Sequence, residues 1–431
     1  MDEHRRSYLK TTIAAALAFS GSIVVAGVIA SRPTDLVALR AMQVAVILLA
    51  IPVAGWLLLV VAGGVIALRR DTLESQGRPY AAHVPRERQA GGIVRAMWAV
   101  SRALRSPFRR NRRRLDLRPG EIVEVRSFAE IQRTLDARGA LNGLLFMPEM
   151  LAACGRQFRV FRRVDKLHDW LGHTGLRRVH DTVLLEGLRC DGSGHDGCQS
   201  GCYMRWNEAW LRRAPRGGAE ITRTPAARTS AAAMEAPPLD LVQLARRRAD
   251  DGADLMVCQT TELAAGTTRL SFADPRHYVR DLLTGNIGLG PLLAGASLAA
   301  FNGVQRLRRG TAFPGLALPD QKSSPHVSLD LAPGDLVRVK TRQEIEATLT
   351  SGSRNRGLWF DVEMLRFCGG EYRVVQRVDR LLDERAGRMR SVANPCIRLE
   401  DVAASGEYLG FCAQNELIFW REIWLSRVQP G

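Results

Sequence analysis

At 431 residues, with 46% hydrophobic and 24% charged side chains, the chain has the composition of a folded protein of two or three domains and not of a disordered one. Its net charge of +17 is local, because Arg69 to Arg118 carries fourteen arginines against four acids, a net +10. The basic balance therefore describes one segment and says little about the folded domains.

Residues 11–31 and 41–68 carry no charge, and each is long enough for a hydrocarbon core that needs about 20 apolar residues. The short SRPTDLVALR between them makes the expected arrangement a two-helix transmembrane hairpin. Arg5, Arg6 and Lys10 precede the first span, within a cytoplasmic N-terminus of residues 1–10, and the arginine-rich stretch follows the second. The positive-inside rule then places both termini and all soluble domains in the cytoplasm, at the inner membrane. Cleavage of the first span as a signal peptide is the rival reading, and it leaves the soluble part on the same side.

Residues 69–118 form a basic juxtamembrane segment. Ile93, Met97, Trp98, Val100 and Leu104 recur among its arginines at helical spacing, as suits an amphipathic element lying on anionic lipid. A nucleic-acid arm is not expected, since the cluster abuts a span and no nucleic-acid motif accompanies it.

The strongest signal is an internal repeat. GLLFMPEMLAACGRQFRVFRRVD at Gly143 returns as GLWFDVEMLRFCGGEYRVVQRVD at Gly357, an offset of 214 that also pairs Gly120 with Gly334, Cys198 with Cys412, Trp206 with Trp420 and Trp210 with Trp424. Two related domains follow, residues 119–213 and 333–428. Each opens on an alternating run (PGEIVEVRS, PGDLVRVKT), passes through a short helix, and continues as strands separated by turns. Short strands in under a hundred residues point to a small β-rich domain, an SH3-like barrel. The expected fold class is thus membrane-anchored α+β. Between the repeats, residues 214–238 read as an Ala/Arg/Thr/Pro linker and 239–312 as a helical insert packed on the first copy. Its apolar run 287–305 reads as an interfacial or buried helix, because a third span would separate two related domains.

Reduced cytoplasmic thiols favour metal ligands or buried cysteines over disulfides. The first copy supplies Cys154, Cys190, Cys198 and Cys202, enough for a tetrahedral structural zinc, with His195 among them and Cys258 of the insert as an extra ligand or a plain buried thiol. The second copy keeps Cys368 and Cys412 and adds Cys396, a weaker or differently ligated version. The rival readings are buried cysteines and a thiol or iron–sulfur centre, and the spacing matches no standard finger or ferredoxin pattern. His168, His173 and His180 read as a solvated loop. Glu149/Glu363 and Glu208/Glu422 recur in both copies, as caps or partners of Arg159/Arg373 and Arg163/Arg377, the rival reading being a pair of catalytic carboxylates in one cleft. Trp206/Trp210 and Trp420/Trp424 share a helical face, for core packing or a partner groove. With no phosphate loop, dinucleotide fingerprint, nucleophile elbow or HExxH motif, the expected role is a non-catalytic scaffold that holds a protein partner at the membrane, the alternative being a redox enzyme.

Overall fold

The computed structural model describes residues 3–31, 37–77, 115–169, 174–214 and 239–428, with 21–31, 37–52 and 75 given by backbone alone. The arginine-rich segment from 78 to 114, the linker 215–238 and His173 lie outside the described residues. The architecture is mixed α+β, and its sheets include a half-barrel.

Two long helices come first, α1 (Glu3–Ser31) and α2 (Val37–Ser75). Among the described residues, one helical segment, Val53–Glu74, is long and apolar enough to cross a membrane by length and composition. It begins and ends further along the chain than the expected second span, 41–68, whose first residues are given by backbone alone. Leu9, Ile13 and Leu17 of α1 and Val53, Trp56, Leu58 and Val65 of α2 face outward.

The first sheet contains β1 (Ile122–Val125), β2 (Gln157–Arg163), β3 (Thr182–Arg189), β4 (Tyr203–Asn207) and β5 (Leu211–Arg213), in the order β4-β3-β2-β1-β5. Every pairing is antiparallel. The two edge strands are consecutive in the chain, joined by the 3-10 turn Glu208–Trp210, so the sheet must curl to bring them together. Alternation buries Val123, Val125, Val160, Val183 and Leu185 beneath Trp206 and Trp210.

A second sheet repeats this plan, with α3 and α4 of the insert intervening: α3 is Pro275–Thr284 and α4 is Leu289–Leu307. Its strands are β6 (Leu336–Val339), β7 (Glu371–Asp383), β8 (Arg388–Ala403), β9 (Leu417–Trp420) and β10 (Leu425–Arg427), in the order β9-β8-β7-β6-β10. The registers correspond at the offset of 214: Ile122 opposes Arg159 as Leu336 opposes Arg373, and Val123 opposes Arg213 as Val337 opposes Arg427. Helical turns after β1 and β6 carry matching capping boxes, Ser127 with Glu130 and Thr341 with Glu344.

The expected pairing of repeated carboxylates with repeated arginines holds for one set. Arg163 Nη1 lies 2.5 Å from Glu208, and Arg377 Nη1 lies 2.5 Å from Glu422. Each of those carboxylates also accepts backbone N–H groups of the strap before the sheet, Asp116 and Leu117 in one case and Leu329 and Asp330 in the other.

The insert differs from the expected run of helices. After one helical turn at Leu241–Leu244, Arg246–Arg248 and Asp254–Met256 form a hairpin around Gly252. The Asp-Asp-Gly turn permits it, and Met256 N–H donates to Gly387 O (2.6 Å), so strand geometry here is set by docking and not by the arginine run. Leu239, Leu241 and Leu244 pack into the first core, as expected of the insert. α4 packs Leu298 and Phe301 against Tyr8, Val60 and Ala67, and Gln305 receives Thr11 Oγ1 (3.0 Å). Leu289 and Leu293 at its other end are half exposed. The second half is fastened to the base of α2 by a buried ion network in which Arg342 reaches Asp71 (3.1 Å), Glu74 (2.7 Å) and Glu346 (2.8 Å).

Candidate metal centre

In each half the turn after β3 or β8 wraps around one carboxylate. Gly192 (φ +76°) and Gly406 (φ +75°) take the left-handed conformation at its start, where a Cβ would meet the backbone of Cys198 or Cys412. The carboxylates are Glu149 and Glu363, each in the 3-10 helix that follows a short hairpin (Pro148–Ala153, Val362–Phe367). Gly194 N–H donates to Glu149 Oε1 (3.0 Å), and Tyr408 N–H donates to Glu363 Oε1 (3.1 Å).

The second oxygen distinguishes the halves. Glu363 Oε2 accepts Ser405 N–H and Oγ–H (both 2.9 Å) and faces Arg366 at 3.4 Å. Ala152 and Asp191 stand at the positions of Arg366 and Ser405 in the first half, so neither partner exists there. Glu149 Oε2 is buried and has no hydrogen-bond partner among the described residues. An orphaned buried carboxylate oxygen costs about 1–3 kcal/mol or more, which marks this as a place for a cation.

Around Glu149 the donors are Cys190 Sγ, 3.4 Å from Oε1, and His195 Nδ1, 2.6 Å from it. These three are the group of metal-type donors that converges within 4.8 Å among the described residues. His195 Nε2 lies 3.2 Å from Val257 O, the outer hydrogen bond that fixes a ligating imidazole and leaves Nδ1 turned inward. Nδ1 and the carboxylate oxygen require a proton or a metal ion between them. Without an ion, burial pushes His195 down, but the hydrogen bond and charge of Glu149 outweigh it and the net direction is up. Burial likewise pushes Glu149 up and His195 outweighs it, leaving the carboxyl low.

Cys190, Cys198, Cys202, His195 and Cys258 line one cavity of about 30 Å³, the room of one or two waters or a single ion. Burial, with the Glu149 charge after it, pushes the Cys190 thiol up; burial does the same to Cys202 and Cys258. Such thiols are poor nucleophiles. A set of imidazole nitrogen, thiolate sulfur and carboxylate oxygen, with Cys202 or Cys258 at hand as a fourth donor, fits zinc.

The four-thiol set expected from the sequence is therefore not the group that converges. Cys154 turns toward Met150 O (3.9 Å) in the first core, where burial raises it to about 11. Cys198 contacts Ser200 Oγ (3.2 Å) at the cavity wall. Cys190 is the one thiol in the converged group, joined by His195 and by Glu149, a carboxylate whose expected place is a helix cap or an arginine partner. In the second half Cys368 lies in the core, Cys396 sits 3.3 Å from Arg421, and Cys412 Sγ accepts His168 N–H (3.2 Å). These three share no centre among the described residues. All four paired tryptophans are fully buried, so their rings present no groove; Trp210 and Trp424 donate to Thr134 and Thr348 in matching bonds.

No protein-family model, curated protein or solved structure matches the chain.

Proposed function

We propose that this is a membrane-anchored binding protein, two related SH3-like modules held at the inner membrane face by an N-terminal helical hairpin, with a structural zinc closing the first module. The observation that carries the reading is the convergence of Glu149, Cys190 and His195 beside a cavity of about 30 Å³, lined by Cys190 and His195, whose room suits an ion better than a substrate. Structural zinc sites are closed by protein donors, whereas catalytic ones keep an open position. The strand order, with a 3-10 turn joining the two edges, supports the small-barrel reading. Outward apolar side chains on α1 and α2, with an ion-paired base at Asp71 and Glu74, support an anchor whose charged end meets the cytoplasm. The basic stretch 69–118 would add attraction to anionic lipid.

The test is metal analysis and visible absorbance of the full chain purified in detergent without oxygen. About one zinc per chain, lost in His195→Ala, and no colour is the expected result. Iron with visible absorbance would replace the scaffold with the redox enzyme, and a chain free of metal would return the thiols to the core. Reporter fusions at both ends should read cytoplasmic; opposite sides would overturn the hairpin.

A further inference from the structure

The two halves treat the groove beside their carboxylate differently. In the first, the insert segment after Met256 is seated there, and Gln259 is its anchor. Gln259 Oε1 accepts Arg205 N–H (2.8 Å), while its amide donates to Arg205 O (2.9 Å) and Leu145 O (2.8 Å) and lies 3.7 Å from Met150 Sδ. One side chain thereby completes the outer edge of β4, doing what a neighbouring strand would do.

At the offset of 214, Leu145, Met150 and Arg205 become Trp359, Met364 and Phe419. All three line a cavity of about 210 Å³, walled entirely by residues between Leu358 and Phe419 of the second half. β9 is the edge strand there as β4 is in the first sheet, and Phe419 opposes Arg398 as Arg205 opposes Leu184. By that register the Phe419 N–H and C=O face outward, where Arg205 meets Gln259. Among the described residues, Val257–Thr260 lies at the first module's edge, whereas residues between Leu358 and Phe419 alone line the cavity of the second. The lining is mostly apolar, with Leu409, Leu417 and Ile418 beside Trp359, half exposed at the mouth.

We propose that the second module's cavity is a docking groove for a glutamine-bearing turn of a partner protein, seated on β9 as Val257–Thr260, where the chain turns at Gln259, is seated on β4. The inference deepens the binding-protein reading and rests on it. Glutamine is the specifying residue, because one amide supplies both the acceptor for the Phe419 N–H and the donors for two carbonyls. A turn presents that amide to the sheet edge while adjacent side chains fill the apolar pocket.

The probe is a fluorescent ten-residue peptide of the chain's own sequence Asp254–Leu263, with Cys258→Ser to prevent oxidation, titrated by anisotropy against the full chain in detergent. Saturable binding is expected, weakened at least tenfold by Gln259→Ala in the peptide and by Ala404→Phe in the protein, which fills the cavity. Should Ala404→Phe fail to fold, Trp359→Ala, at the half-exposed mouth of the second module's cavity, takes its place with the same expected loss. Absence of saturable binding, equal binding of the Gln259→Ala peptide, or binding untouched in a folded Ala404→Phe chain would overturn the groove. Binding untouched in that variant would mean displacement of the insert from the first module. Neither failure alters the zinc content or the absorbance, which test the wider reading separately.

Discussion

The turn Cys190–Cys198 and the turn Ala404–Cys412 have the same backbone course, the same left-handed glycine and the same carboxylate at the centre, yet they neutralise that carboxylate by different means. In the second, Arg366 and Ser405 satisfy Glu363 from within the chain. In the first, Ala152 and Asp191 supply nothing, while His195 and Cys190 converge on Glu149 and leave Oε2 bare. A fixed guanidinium answers the buried negative charge in the second half, and under the proposed reading a metal ion would answer it in the first. The comparison teaches that one turn can surround its carboxylate with either an internal cation or a set of metal-type donors, because a buried charge left without a partner is costly.

The largest expected effects test whether the halves are equivalent as scaffolds. Trp210→Ala and Trp424→Ala remove fully buried indoles with matching Thr bonds, and each should cost about 3–5 kcal/mol in denaturant unfolding. A large loss in only one would break the equivalence. The central ion pairs should differ instead. Arg163 is 1% exposed, so Arg163→Met strands a buried Glu208 and should cost about 3–5 kcal/mol. Arg377 is 38% exposed, so Arg377→Met should cost about 1 kcal/mol.

Next comes the turn itself. His195→Leu alone should release the metal and lower stability by about 1–3 kcal/mol, since it leaves Glu149 without its partner. The triple change Ala152→Arg, Cys190→Ala, His195→Leu copies the second half's residues at those positions and should recover most of that loss in metal-free protein. If the triple variant melts no higher than the single one, the two turns are not interchangeable and the metal does more than balance charge.

Much of this was legible in sequence, and the exceptions have physical causes. Alternation at PGEIVEVRS and PGDLVRVKT, with the constant offset, located both sheets because β-strand side chains repeat every two residues. Glu208 and Glu422 could be paired with Arg163 and Arg377 because all four recur. The site was legible in part: Cys190 and His195 stood out beside each other, but Glu149 lies more than forty residues earlier and meets them only through the fold. Its signal was in the differences between copies, since the half that lacks Cys190 and His195 gains Arg366 and Ser405. The insert hairpin was missed because Arg246–Arg248 has no alternating pattern, and its strand geometry comes from docking on Gly387. The tryptophans were spaced four apart as on a helix, but a strand and a 3-10 turn carry them instead, and both rings fall inside the core.

The smallest effects concern pH and salt at the more exposed pair. Burial pushes Glu422 up, but Leu329 N–H, Ser328 and Arg377 outweigh it and hold the carboxyl below its ordinary 4.5. An acid with a lowered folded pKa binds fewer protons than it does in the unfolded chain. Its contribution is complete above the unfolded value and is lost as pH falls through the folded one. The melting temperature of the wild type should therefore drop more steeply below about pH 4.5 than that of Glu422→Gln, converging on it at the acid end by about 2 °C. Salt gives the sharper contrast: raising ionic strength from 0.1 to 1 M shortens the Debye length from about 10 to about 3 Å, which should shrink the penalty of Arg377→Met. The penalty of Arg163→Met should hold, because no counterion reaches a guanidinium so fully enclosed. Equal salt sensitivity in the two would mean that the first pair is open to solvent in solution, and the difference between the halves would then be confined to their carboxylate turns.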